Sequence, residues 1–169
     1  MASFSVKIIR AAFGMAEHLS PALAGRLAFE MFCRTRNPET LRDRERRVVE
    51  QAARFMAEAR RHRLTTRSGT VMAFEFKPLP GTPTVATVLV VHGWDSRTEH
   101  MRWLVDGYRT AGYRVIALDL PGHGHSSGRR LNLVNAVEAV AAAATWFGPF
   151  AAIVGHSFGG AVALNAAAG

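Results

Sequence analysis

The stretch AAIVGHSFGGAVALNAAAG, Ala151 to Gly169, decides how the rest of the chain is read. An apolar run ending at Val154 leads into Gly155-His156-Ser157-Phe158-Gly159, and the small residues Gly160-Ala161-Val162-Ala163 lead out. The pattern is a strand, a sharp turn and the start of a helix, with a serine at the apex. As a bare string G-x-S-x-G is weak in a chain of 169 residues with 15 glycines. Between a strand and a helix it becomes specific, because such a turn strains the serine so that its oxygen stands clear of the sheet. Side chains two residues before or after would collide in so tight a bend, so Gly155 and Gly159 read as positions that require glycine. Ser157 is the candidate nucleophile, with His156 beside it in the turn.

Upstream, the chain alternates between two periodicities. TVATVLVVHG (84–93) is a continuous Val-rich run, the pattern of a strand covered on both faces. RTEHMRWLVDGYRTAG (97–112) reads as an amphipathic helix stopped at Gly112. YRVIALDL (113–120) is the next strand, LNLVNAVEAVAAAATWFG (131–148) the next helix and FAAIVG (150–155) the strand that enters the serine turn. Before these, LTTRSGTVMAFEFKP (64–78) places two extended runs around Arg67-Ser68-Gly69 and reads as a hairpin, followed by the turn LPGTP (79–83). Strand and helix in alternation predict an α/β fold: a mostly parallel sheet with flanking helices and right-handed crossovers.

His92-Gly93-Trp94 ends the strand before the first crossover helix, at the carboxyl edge along which open α/β sheets bind ligands. The backbone N–H groups of Trp94 and Phe158 could converge on one oxygen. Two such donors stabilise a developing oxyanion, and loss of one commonly costs about 3 kcal/mol.

Three separate stretches, VLVVHGWDS, VIALDLPGHGHSSG and VGHSFGGAVAL, resemble in this order the α/β-hydrolase superfamily, over about Leu64 to Gly169. The resemblance implies Ser157 as nucleophile, Trp94 and Phe158 as the oxyanion hole, and a site lined by His92, Gly93, Gly155, His156 and Gly159. It implies an esterase-like serine hydrolase acting on a small-molecule ester or related acyl substrate, with no cofactor and no metal. The chain departs from the family in one respect. The triad of the family runs Ser, then Asp or Glu, then His, whereas all seven histidines here precede Ser157. The expectation is therefore a fold truncated after the serine turn, with the catalytic acid and base in a further stretch of a longer enzyme. The competing reading is a non-catalytic binding module, or an inactive fragment, of the same fold.

The first 62 residues read as a helical segment preceding this partial hydrolase domain at 63–169. Ser20-Pro21 and Asn37-Pro38 look like helix starts. Leu23, Leu27 and Met31 form one stripe and Val48, Ala52, Phe55 and Ala59 another. Asp43–Arg47, Arg46–Glu50 and Glu50–Arg54 stand at ion-pair spacing. Of the net charge of +8, residues 1–70 carry +7, from 14 basic and 7 acidic side chains. No groove-reading motif or basic–aromatic interleaving accompanies that charge, so nucleic acid is not an expected partner. Packing of the helical stripes on the hydrolase domain is favoured over contact with a membrane surface.

Hydrophobic residues make up 49% and charged residues 20%, which excludes wholesale disorder. The single cysteine, Cys33, excludes an internal disulfide and reads as a buried thiol; with no secretory signal pattern at the start, the expected setting is cytoplasmic. Two further motifs are set aside. His123-x-His125 has no third ligand at metal spacing, and Gly122-x-Gly124 follows Asp119-Leu120-Pro121 rather than a strand end, unlike a dinucleotide loop. Relatives that open epoxides or haloalkanes would carry Asp at the apex of the turn, where this chain has Ser157.

Overall fold

The computed structural model describes residues 20–168, together with Phe13, Gly14 and His18. The chain forms two compact units, residues 1–34 and 35–169. In the first, helix α1 (Pro21–Cys33) starts where Ser20-Pro21 predicts: the Ser20 hydroxyl accepts from the Leu23 N–H at 3.4 Å. The predicted stripe is not buried, however. Leu23, Leu27 and Met31 are 54%, 47% and 47% exposed, and the helix buries only Ala24 and Cys33.

In the second unit, helix α2 (Asp43–Ala57) starts six residues after Asn37 rather than at Asn37-Pro38. The Asn37 side chain instead accepts from the Glu39 N–H at 3.2 Å, and the Thr40 N–H donates to Asn37 O, closing a turn. The buried face of α2 is Ala52, Phe55 and Met56. Among the described residues, the three predicted i,i+4 pairs do not close as ion pairs. Glu45, outside those three pairs, lies 3.6 Å from Arg36, and its carboxylate accepts the Arg42 N–H at 2.9 Å.

Five strands make one open sheet: β1 (Arg60–Thr66), β2 (Gly69–Phe76), β3 (Thr87–Val91), β4 (Arg114–Asp119) and β5 (Ala152–Gly155), in the order β1-β2-β4-β3-β5. The hairpin β1–β2 turns at Arg67-Ser68 as expected and adds to β4 in antiparallel sense, while β3 pairs in parallel with both β4 and β5. The carboxylate of Glu138 braces that turn, accepting the Arg67 N–H at 2.7 Å and the Ser68 hydroxyl at 3.1 Å.

The Val-rich run of β3 serves two cores, one on each face. Leu89 and Val91 join Ile116, Leu118 and the inner residues of helix α4 (Leu133–Phe147), with Val162 of helix α5 (Phe158–Ala167). Val88 and Val90 face the other way, toward Phe55, Phe74, Phe76 and Val105. Val105 lies on α3 (Arg102–Thr110). The period of two along a strand divides its side chains between the layers.

The segment predicted as one helix over 97–112 begins as a 3₁₀ turn, Thr98–Met101, before α3. Its entry is anchored sideways, because Thr98 donates both its N–H and its hydroxyl to Asp119 Oδ1 at 2.8 Å. Its exit is Gly112, at φ +88°, where a Cβ would fall 2.8 Å from Pro83 O.

Candidate active site at the carboxyl edge of the sheet

The register places the site. Val91 of β3 is opposite Leu118 of β4 on one side and Gly155 of β5 on the other. All three strands therefore end together, and the turns after them share one edge. Those turns carry His92-Gly93-Trp94, the loop from Leu120 to Gly128, and Ser157.

Ser157 stands between β5 and α5 at φ +54°, ψ −118°, and is exposed. Such a conformation costs a non-glycine residue about 1–3 kcal/mol. Three backbone bonds hold it: His156 N–H to Val91 O at 3.0 Å, Gly159 N–H to His156 O at 2.9 Å, and Gly160 N–H to Ser157 O at 2.8 Å. A Cβ at Gly155 would run into the Gly159 carbonyl, and one at Gly159 into the carbonyls of Val91 and His92. The two glycines singled out in the sequence thus occupy positions with no room for a side chain.

Gly93 sits directly against the serine. A Cβ there would lie 3.2 Å from Ser157 Cβ and 3.0 Å from His156 O. The rings of Trp94 and Phe158 meet edge to face at 5.3 Å, so the two residues expected to supply oxyanion donors are neighbours across the turn.

His92 does not open onto the site. Its ring is buried, Nδ1 lies 2.7 Å from Gly93 O and Nε2 accepts the Leu120 N–H at 2.9 Å. A carbonyl can only accept, so Nδ1 carries the proton. Burial pushes the His92 pKa down to about 4, against the pull of the nearby Asp119 carboxylate. His92 ties the ends of β3 and β4 together as a neutral ring. His156 is exposed, on the turn itself.

Sequence reasoning treated Asp119 only as an interruption; the structure makes it the hub beneath the site. Its fully buried carboxylate accepts the two bonds from Thr98 through Oδ1, and the His125 N–H through Oδ2 at 2.8 Å. His125 Nδ1 adds a contact at 3.3 Å. Burial opposes the charge, but the bonds from His125 and Thr98 prevail and hold the carboxyl well below the usual carboxylate range. The available signal was Gly124: at φ +53°, any Cβ there would run into the Asp119 carboxylate. His125 bonds Asp119, whereas His123 bonds Asp95 and Pro121. Glu99, Asp119 and His125 do bring ligand-type atoms within 4.8 Å of one another. Arg97, however, donates to both Glu99 oxygens at 2.9 Å, which leaves a hydrogen-bonded network.

Residues 88–169 match the model of the alpha/beta hydrolase family. The fold is that of the α/β hydrolases. The chain is 31% identical over 87 residues to the phospholipase YtpA of Bacillus subtilis, an alignment covering 48% of this chain and 34% of that protein. It is 43% identical over 84 residues to the dihydrolipoyllysine-residue acetyltransferase component of the acetoin cleaving system of Cupriavidus necator, covering 48% of this chain and 22% of that one. The α/β-hydrolase part therefore spans about a third or less of these two relatives. Among solved structures, a lidless serine hydrolase of Xanthomonas campestris superposes with a TM-score of 0.57 at 20% identity, covering 66% of this chain and 56% of that one. An epoxide hydrolase from an endophytic Streptomyces gives 0.55 at 26% identity, covering 66% and 33%. Among the described residues, no helix is long and apolar enough to cross a membrane.

Proposed function

We propose that the protein is a serine hydrolase that cleaves carboxylic esters through an acyl-enzyme on Ser157. The observation that carries this reading is the strained, exposed Ser157 in a turn whose flanking glycines have no room for side chains. Ser157 Oγ attacks the ester carbonyl while its proton passes to a general base. The backbone N–H groups of Trp94 and Phe158 receive the resulting oxyanion, the alcohol leaves with a proton, and water returns the acyl group as the acid. The phospholipase relative supports an ester substrate, and a serine rather than an aspartate at the apex favours ester cleavage over epoxide opening. His92 and His123 have both ring nitrogens committed to backbone groups, so the general base is a different residue.

The test is a fluorophosphonate probe applied to the protein expressed from its complete reading frame, alongside turnover of p-nitrophenyl esters. Labelling at Ser157, lost in Ser157→Ala with the fold retained, is expected. Unlabelled Ser157 in a folded protein favours the non-catalytic binding module instead.

A further inference from the structure

We infer that His123 is a positioning residue for the oxyanion turn at Trp94, an inference that rests on the serine-hydrolase reading above. His123 lies in the loop after β4, and Asp95 in the loop after β3. The His123 ring spans the gap between them. Nδ1 lies 3.0 Å from Pro121 O, and Nε2 accepts the Asp95 N–H at 3.1 Å. Because Pro121 O can only accept, the proton sits on Nδ1 and the lone pair on Nε2 faces Asp95. The ring is 5% exposed and burial lowers its pKa, which keeps that lone pair available.

What this bond holds is the peptide that joins Trp94 to Asp95. Asp95 is, with Ser157, one of two non-glycine residues at positive φ among the described residues, at +52°. Its carboxylate is drawn outward to Arg36 at 3.4 Å and to Arg42 at 3.6 Å, but Asp95 and Arg42 are exposed and Arg36 is only half-buried, and such pairs contribute little. The part-buried bond to His123 is the firmer tie. Trp94 is gripped from the same side, with its ring edge-on to His123 at 6.1 Å and to Phe158 at 5.3 Å. A displacement of the Trp94–Asp95 peptide would be passed through the Trp94 Cα to the Gly93–Trp94 peptide, which carries the proposed oxyanion donor. Misplacement of such a group by about 1 Å can cost on the order of 100-fold in rate.

Two near-isosteric variants separate positioning from packing. His123→Asn keeps an amide near the Nδ1 position and its bond to Pro121 O, but has nothing at the Nε2 position. His123→Gln reaches the Nε2 position with an oxygen that accepts from Asp95. With p-nitrophenyl acetate and the protein from its complete reading frame, His123→Asn is expected to lower kcat by about 10–100-fold with KM within about twofold. His123→Gln is expected to stay within about threefold of the parent in kcat. Equal kcat in the two variants overturns the inference while leaving the serine-hydrolase reading intact. A parent protein that neither turns over esters nor labels at Ser157 overturns both. If either variant fails to fold, amide hydrogen exchange on the parent decides: the Asp95 N–H is expected to be protected, and exchange at the rate of an unbonded surface amide overturns the tie.

Discussion

Gly93 packs against Ser157 so closely that a methyl group at Gly93 would come within 3.2 Å of the serine Cβ and 3.0 Å of His156 O. The second of these is a backbone atom on a turn already held by three hydrogen bonds, so it cannot step aside cheaply. The turn that carries Trp94 and the turn that carries Ser157, the proposed nucleophile, are therefore one packed unit. Gly93→Ala is expected to slow fluorophosphonate labelling of Ser157 by tenfold or more, by forcing these turns apart. A labelling rate within twofold of the parent would mean that the contact yields freely.

The strain at Ser157 predicts an inverse relation between stability and function. Glycine adopts φ +54° at no steric cost, whereas alanine keeps the penalty. Ser157→Gly should therefore unfold at a higher temperature than Ser157→Ala, by about 1 kcal/mol at the midpoint, although both abolish labelling. Thermal unfolding by circular dichroism measures the difference. Equal midpoints would place the strain elsewhere.

The buried histidine at the strand ends predicts acid sensitivity. His92 is neutral in the folded protein down to about pH 4, while the unfolded chain takes up a proton on it near the ordinary value of 6.5. Below 6.5 the unfolded state binds more protons, so stability falls as pH drops from 6.5 toward 4, by up to about 1.4 kcal/mol per pH unit for this one group. The contributions of His123 and His100 have the same sign. Asp119 acts in a lower window: its pKa is depressed on folding, so its contribution is present above the ordinary carboxylate value of about 3.9 and is lost as pH falls below it. His92→Gln can still accept the Leu120 N–H but cannot titrate. Urea unfolding at pH 7.5 and pH 5 should show the gap between parent and His92→Gln narrowing on acidification, and a constant gap would count against the neutral ring.

Glu138 predicts a long-range effect on the hairpin. It reaches from α4 to the turn at Arg67-Ser68, more than 60 residues away in sequence, and accepts two hydrogen bonds there. Glu138→Ala leaves the Arg67 N–H without this partner and should cost about 1–2 kcal/mol, since hydrogen bonds to a charged group exceed the neutral average. Denaturant unfolding measures the cost, and Glu138→Gln should recover part of it.

Much of this was written locally. The serine turn was legible because its demands are local: a strand, a residue at positive φ and two positions without room for a Cβ leave a glycine signature in five consecutive residues. The hairpin at Arg67-Ser68 and the division of β3 between two cores were legible for the same reason, since turn chemistry and a period of two are properties of a short stretch. Periodicity likewise recorded that Leu23, Leu27 and Met31 share one face of α1, and the cap at Ser20 marked where that helix starts. The ion pairs expected along α2 misled, because spacing permits a pair without requiring one, and among the described residues Asp43, Arg47, Arg46, Glu50 and Arg54 do not close as those pairs.

What the sequence determined by itself was the α/β pattern, the turn at Ser157 and the adjacency of His92-Gly93-Trp94 to a strand end. Tertiary structure alone decided the roles of His92, His123 and Asp119. In sequence they are a histidine in a turn, one member of a histidine pair and an acid at the end of a strand. Each acquires its role from a backbone group at least six residues away: Leu120 for His92, Asp95 for His123, and Thr98 and His125 for Asp119. A side chain's titration and hydrogen bonding depend on which donors and acceptors the fold brings to it and on how far water is excluded, and neither is encoded in its immediate neighbours.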